Sequence, residues 1–312
     1  MIPRVNVCID YLKFEVLRPF RLDDFVTQLF KLMRLNPWRF DSTFAKQFGE
    51  VRIYGCNTRF MLHPDGTAQR KDGLDYWIVE MSGSACRDFE SRGCDWKTFL
   101  DFILHNSTQV FLKRADLALD DLSGIVPLDE LKDRVSKERR EYITRFRKFR
   151  FSVPSGRNDG TIEDSFDIGD DGEKIIEGQG WSATWGSKAS AIQLQIYDKL
   201  AEREANDVDV NLTHWVRFEM RFLHCYAKEL IFGLCKAFDD DKVGEFAKGL
   251  LRGMFVLVDN SEKHYDRRNY YKLPLWKPYE EFLGDVDGIT LPFNQDKVEV
   301  DAVRRIRYLH DS

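Results

Sequence analysis

The feature that most constrains the fold is a set of strand-like runs in which polar and apolar residues alternate. The plainest is Gln193-Leu194-Gln195-Ile196-Tyr197-Asp198-Lys199. Successive residues of a strand point to opposite faces. One face of this run carries Gln193, Gln195, Tyr197 and Lys199, and the other Leu194, Ile196 and Asp198. A second run, 109–120, places Arg114, Asp116, Ala118 and Asp120 on one face. A third, 215–223, places Arg217, Glu219 and Arg221 together. Ionised groups on sheet strands are costly unless they are paired or bound to a cation.

Between these runs the period changes. Residues 4–17 read as a strand carrying Asp10, and 22–35 show helical spacing of Leu22, Phe25, Val26, Leu29, Phe30 and Met33. Residues 50–62 and 75–82 read as strands of a meander, linked through the turn residues His63-Pro64-Asp65-Gly66-Thr67. Asp95 is a natural N-cap for a helix over 95–105. Pro127 opens another helix, with Asp129 and Glu130 in its first turn. Its far end is expected to run into Arg139, Arg140, Arg145, Arg147, Lys148 and Arg150, with Tyr142, Phe146 and Phe149 interleaved. A strand over 181–185, helices over 225–238 and 241–255, and short helical pieces at 275–283 and 301–309 complete the pattern. Strand groups separated by helices, without regular βαβ alternation, predict an α+β fold. The expectation is a mixed or antiparallel central sheet with flanking helices. Each half runs strand, helix, strands, so an internal duplication is expected as well. Residues 1–285 are expected to form one domain and 286–312 a C-terminal extension. Residues 155–180, with six glycines and few large apolar side chains, are expected to be a mobile insertion.

Charge distribution says more than the net charge of −5. Residues 131–150 hold nine Lys/Arg against three acids, whereas residues 158–178 hold eight acids against one lysine. No apolar run is long enough for a membrane helix, and the N-terminus lacks the apolar core of a signal peptide. Six cysteines without a C-x-x-C pair suit a cytoplasmic protein with reduced thiols. The six histidines form no His-x-His or His-Glu-x-x-His pattern. A metal site here would be built from carboxylates, which favours Mg²⁺ or Mn²⁺.

Two readings of the charged strands stand side by side. One is mutual pairing, such as Asp116 with Arg217. The other is a divalent-metal site next to Tyr197. A phenol is a reversible nucleophile, because phenolate leaves far more readily than alkoxide. Its attack on a DNA phosphodiester gives a phosphotyrosine and frees a 3′-hydroxyl, and the strand can later be rejoined. A carboxylate-held cation would polarise the phosphate. Lys199 or Lys188 would add a point charge, and the basic stretch 132–150 would follow the backbone. Plainer roles compete. Asp120 and Asp121 can turn the chain before Gly124, Asp10 can cap a helix, and Lys199 can be a rim residue.

At these residues the chain resembles the replication initiation factors of plasmids, phages and integrative elements, which start rolling-circle replication. The motifs occur in order over roughly residues 5–285. They are Val5-Asn-Val-Cys-Ile-Asp10-Tyr-Leu-Lys-Phe, Glu80-Met-Ser-Gly83-Ser-Ala-Cys86-Arg87 and a helix from near Trp96. Then come Lys113-Arg114-Ala-Asp116-Leu-Ala-Leu-Asp120-Asp121 and Thr184-Trp-Gly186-Ser187-Lys188-Ala-Ser190. Ile196-Tyr197-Asp198-Lys199, Glu202 and Trp215-Val-Arg217-Phe-Glu219 complete the set. The resemblance implies a metal-dependent, origin-specific DNA nicking and strand-joining enzyme with Tyr197 as the nucleophile, ending 5′-linked to DNA. It implies Asp116 and Glu219, with Asp10 as a third, as ligands of Mg²⁺ or Mn²⁺. Lys199 is assigned to the phosphate. Lys188, Arg114, Arg217, Arg139, Arg140, Arg145, Arg147 and Lys148 are assigned to DNA. A homodimer and a host helicase and polymerase are the implied partners, with no membrane.

The sequence departs from the family in two places. Gln195 stands where the family usually has arginine, and the acidic segment separates the aspartate strand from the tyrosine block. Two rival functions share these features: a relaxase that nicks a transfer origin for conjugation, and a non-enzymatic DNA-binding regulator.

Overall fold

The computed structural model describes residues 5–17, 23–45, 49–62, 76–136, 138–152, 181–187, 189–206, 208 and 210–291. Strand β1 (Val5–Leu17) and helix α1 (Asp23–Leu32) lead into strands β2 (Asp41–Ala45), β3 (Gly49–Tyr54), β4 (Thr58–Leu62) and β5 (Tyr76–Met81). Helices α2 (Gly83–Ser91) and α3 (Trp96–His105) follow. The plan then repeats with β6 (Val110–Asp121) and α4 (Leu128–Val135). After the short β7 (Tyr142–Thr144) come β8 (Phe149–Ser152), β9 (Ser182–Trp185), β10 (Ile192–Asp198), α5 (Lys199–Ala205) and β11 (Val216–Leu223). Helices α6 (Cys225–Asp239) and α7 (Val243–Met254), strand β12 (Phe255–Leu257), a 3-10 helix (Arg267–Lys272) and α8 (Lys277–Leu283) close the described chain.

Ten strands are hydrogen-bonded in the order β2-β3-β4-β5-β1-β6-β11-β10-β9-β8, and β7 pairs with β12 in a separate ribbon. The pairs β1·β5, β2·β3, β3·β4, β4·β5, β9·β10 and β8·β9 are antiparallel. This is the α+β fold that the sequence predicts. Read outward from the centre, one side runs β1, β5, β4, β3, β2 and the other β6, β11, β10, β9, β8. Each side is one strand followed by a helix and a four-strand meander, so the duplication is visible in the topology.

The chain divides into two compact units, and strands β1, β6 and β11 contribute to both. One unit includes Ile9–Asp116 and Phe222–Asp241. Its core is the even-numbered side of β1 (Leu12, Phe14, Val16) with Phe60, Val79 and Met81, all buried. Phe30 of α1 stacks on Phe60 at 5.1 Å, and Phe99 of α3 meets Phe14 edge-on at 6.3 Å. Asp95 caps α3 as expected, accepting the Thr98 N–H at 2.8 Å. The opposite face is polar. Lys13 and Glu80 are register partners and form an ion pair at 3.1 Å.

The other unit includes Leu117–Arg221 and Lys242–Thr290, together with the chain up to Cys8. Leu194, Ile196, Phe218 and Met220 are buried on one side of β10 and β11. Phe218 stacks on Phe282 of α8 at 4.8 Å. Trp185 packs 4.5 Å from Phe255 and 4.8 Å from Phe149. Beyond α8 the chain returns across α7, where Ile289 donates to the Gly249 carbonyl at 2.8 Å. A Cβ on Gly253 would stand 2.0 Å from the Ile289 oxygen, so this crossing requires glycine. Arg217, 4% exposed, donates to both oxygens of Asp120 at 2.6 and 2.9 Å.

Several local expectations are corrected. The stretch 50–62 is two strands, broken at Gly55-Cys56-Asn57, where Gly55 and Asn57 have positive φ. β2 has no counterpart in the sequence reading. Helix α4 ends at Val135, so the basic stretch 132–150 is not one helical face. Ser136 is extended and Arg140 has φ of 48°. The β-branched and aromatic run Tyr142-Ile143-Thr144 then pairs with β12. Lys199 is the first residue of α5 rather than the last of a strand, because Asp198 N-caps that helix by accepting the Ala201 N–H at 3.0 Å. The turn at 63–67, the acidic segment 155–180, Lys188 and the piece at 301–309 lie outside the described residues.

Two stability outcomes follow from this packing. Phe218→Ala is expected to cost about 3–5 kcal/mol in denaturant unfolding. Phe232→Ala, at a side chain 49% exposed, is expected to stay within about 0.5 kcal/mol. Arg217→Ala leaves Asp120 buried without its guanidinium and is expected to cost about 3–5 kcal/mol. An Arg217→Ala protein that unfolds like wild type would refute a structural role for this pair.

Candidate active site on the polar strand faces

Strand β10 sets Tyr197 on the face opposite Leu194 and Ile196, both 0% exposed. The tyrosine is itself 8% exposed. Its hydroxyl donates to Glu219 Oε2 of β11 at 3.0 Å. Arg221 approaches the other carboxylate oxygen of Glu219 at 3.7 Å and donates to Gln193 Oε1 at 3.1 Å. Gln193 is anchored in turn through its amide nitrogen to the Ser187 carbonyl. Gly186, between β9 and β10, has φ of 96°, and a Cβ there would stand 2.9 Å from the Ile192 oxygen. Only glycine fits that turn easily. Lys199 Nζ lies 5.4 Å from the Tyr197 ring centroid, and Glu202 holds it bidentately at 2.8 Å. The structure thus gathers Tyr197, Glu219, Arg221, Gln193, Lys199 and Glu202.

Asp116 is 1% exposed. Arg114 grips it, with Nε 2.9 and 3.0 Å from the two carboxylate oxygens. The Arg114 guanidinium also lies 3.9 Å from the ring centroid of Tyr11. Tyr11 is hydrogen-bonded to Glu80; burial raises its pKa above the ordinary phenol value, and the Glu80 charge adds to the rise. Sequence reasoning passed over this tyrosine–glutamate pair, although the alternation of 4–17 and 75–82 carries the signal. Asp10 lies against the start of α2, where a Cβ on Gly83 would stand 3.0 Å from its Oδ1. A carboxylate is favoured at a helix N-terminus. Asp121 takes the turn role, accepting from the N–H groups of Ser123, Gly124 and Val126. Asp120 is instead the partner of Arg217. Among the described residues, no three Asp, Glu, His or Cys side chains gather closely enough to hold a metal ion.

The arginines assigned to DNA divide by environment. Arg139 is tied to Asp133 and Glu141, and Arg140 is half-buried. Arg145, Arg147 and Lys148 are exposed, with Arg145 donating to Thr290 at 2.9 Å. Sequence reasoning missed a second basic and aromatic surface at 263–272. Lys263, Arg267, Arg268 and Lys272 are exposed there, beside exposed Tyr265 and Tyr271. Its interleaving is the same signal that marked 132–150. The Arg267 guanidinium lies 6.0 Å from the Tyr142 ring of β7, so the fold joins the two basic runs. Among the described residues, no helix is long and apolar enough to cross a membrane.

Comparison with known proteins places this arrangement in context. Residues 110–312 match the Rep_trans family, described as replication initiation factor. A putative DNA relaxase NicK of Bacillus subtilis (strain 168) is 32% identical over 218 residues, covering 69% of this chain and 55% of that protein. The chain therefore spans about half the length of this curated relative. A solved structure described as a rolling circle replication initiator protein from Geobacillus stearothermophilus aligns with a TM-score of 0.63 at 21% identity. That alignment covers 93% of this chain and 100% of the other, and it speaks to the fold. The family match spans most of the chain and includes Asp116, Tyr197 and Glu219: this protein belongs to the replication initiation factor family.

Proposed function

We propose that this protein initiates rolling-circle replication by nicking one strand of an origin with Tyr197. The observation that carries the reading is the hydroxyl of Tyr197 held 3.0 Å from Glu219 on a polar strand face. The phenolic oxygen attacks phosphorus and the bond from phosphorus to the 3′ oxygen breaks. The 5′ phosphate stays on Tyr197, and the departing 3′ oxygen takes a proton. Glu219 is the first acceptor for the phenolic proton in this scheme. Reversal of the same step rejoins the strand, which makes nicking and joining one chemistry.

Carboxylate oxygens such as those of Asp116, Glu219 and Asp10 are the donors Mg²⁺ or Mn²⁺ prefers, and such an ion would polarise the scissile phosphate; because no three such side chains gather among the described residues, it would draw its remaining ligands from water and DNA. Taking up Asp116 as a ligand requires Arg114 to release it. Exposed Arg145, Arg147, Lys148, Arg267 and Arg268 supply phosphate contacts, so affinity falls as salt rises. Host helicase, host polymerase and a second copy of the chain complete the proposed partners. The relaxase name of the Bacillus subtilis relative favours one second reading, in which the same nick serves conjugative transfer. The neighbouring genes separate the two.

Tyr197→Phe is expected to bind origin DNA and form no covalent adduct, read as the absence of a shifted band on a denaturing gel. An adduct that survives this change identifies another nucleophile. Glu219→Ala is expected to lower nicking of supercoiled plasmid by at least about a hundredfold while binding is largely kept. Nicking at the wild-type rate with Mn²⁺ would remove Glu219 from the chemistry.

A further inference from the structure

Strand β2 is the outermost strand of the sheet on its side, and Asp41, Ser42, Thr43 and Phe44 are all exposed. The chain enters it through Trp38, Arg39 and Phe40. Trp38 is 89% exposed, Phe44 76% and Phe40 36%. Rings of this size gain substantially from being covered, so exposed ones this close together in the chain point to a partner, although Phe40 also packs on Tyr54 at 5.4 Å. Cations accompany them. The Arg52 guanidinium lies 4.8 Å from the Phe40 ring centroid, where Glu50 pairs with it at 3.1 Å so that a phosphate would compete with that carboxylate, and Arg39 is exposed between Trp38 and Phe40. Residues 31–59 hold six Lys/Arg against two acids, a local excess of +4 (6 − 2) in a chain of net charge −5.

We propose that Trp38, Phe40 and Phe44, with Arg39 and Arg52, bind single-stranded DNA. Unpaired bases stack on the rings and the phosphates follow the arginines. Every base has a π-face, so such a platform holds a strand without reading its sequence. The local positive excess matches a polyanion. It opposes a second copy of this chain, because a two-fold interface would set the same arginines against each other. The proposal rests on the reading that this protein acts on DNA. It assigns to β2 the strand left unpaired around the nick, a role separate from the chemistry at Tyr197.

The test measures binding of a fluorescent twelve-nucleotide oligothymidylate to the full chain by anisotropy, alongside nicking of the origin plasmid. The Trp38→Ala/Phe44→Ala double variant is expected to bind oligothymidylate at least about tenfold more weakly. Its thermal melt is expected to stay near wild type, which separates a lost platform from a lost fold. Phe232→Ala, which removes an exposed ring from α6, is expected to leave the affinity unchanged and so excludes a generic loss of apolar surface. Undiminished oligothymidylate affinity in the double variant overturns the proposal. So does a wild-type dimer in sedimentation that the double variant converts to monomer with DNA affinity intact. Weakened oligothymidylate binding in a wild-type background that nicks no plasmid leaves this surface standing and removes the nicking function instead.

Discussion

An ionised side chain on a sheet strand is tolerable only when an opposite charge or a hydrogen-bond partner meets it. That constraint organises both polar faces. Asp116 is held by Arg114, Asp120 by Arg217, Glu15 by Lys113, Glu80 by Lys13, and Glu219 by Tyr197. The pairs satisfy one another, so an incoming phosphate or cation competes with an internal partner rather than filling an empty charge site. Counting arginines therefore overstates the surface available to DNA. Arg114, Arg217 and Arg139 are committed to carboxylates, whereas Arg147, Lys148, Arg267 and Arg268 face solvent.

The duplication gives this arrangement a structural logic. Glu80 lies on β5 and Glu219 on β11, which occupy equivalent places on the two sides of the sheet. Their settings match as well, Val79-Glu80-Met81 against Phe218-Glu219-Met220. An aspartate sits mid-strand in both central strands, Asp10 in β1 and Asp116 in β6. Each glutamate receives a tyrosine hydroxyl, Glu80 from Tyr11 and Glu219 from Tyr197. The tyrosines come from non-equivalent strands, β1 and β10, so the two halves keep a common framework of acids but not a common tyrosine position. Tyr11 is held strongly as neutral phenol by burial and by Glu80.

Alternation and helical period are local properties, and what depends on them was legible in the sequence. The strands around Asp116, Tyr197 and Glu219, the Asp95 cap and the α+β class all follow from them. Partner choice depends on register, which the period leaves open, since a sheet can slide by two residues and keep its faces. Hence the sequence left open which carboxylate Arg217 meets, and the structure shows it gripping Asp120. Endings were hard for a related reason. Lys199 continues the strand alternation, but a single cap from Asp198 turns the chain into α5 first. The basic stretch 132–150 fits a helix by charge, yet Tyr142-Ile143-Thr144 gains more by pairing with β12. β2 escaped notice because, exposed at the sheet edge, it carries almost no burial pattern to read.

The environment of Tyr197 bears on how a weak nucleophile becomes useful. Its ring is buried and its strand lies between two others, so the hydroxyl has little freedom to move. Fixing a nucleophile in this way removes much of the entropy of a productive approach, and a strand does so more rigidly than a loop. Two residues before Tyr197 stands Gln195, so that position supplies no cation. Arg221 offers a guanidinium on the same face from the adjoining strand, held in place by Gln193 and Glu219. Because that arginine already leans on the carboxylate that accepts the Tyr197 hydrogen bond, a phosphate arriving there in the proposed reaction would draw on both groups at once. Under that proposal, phosphate binding and nucleophile activation would be coupled through one glutamate.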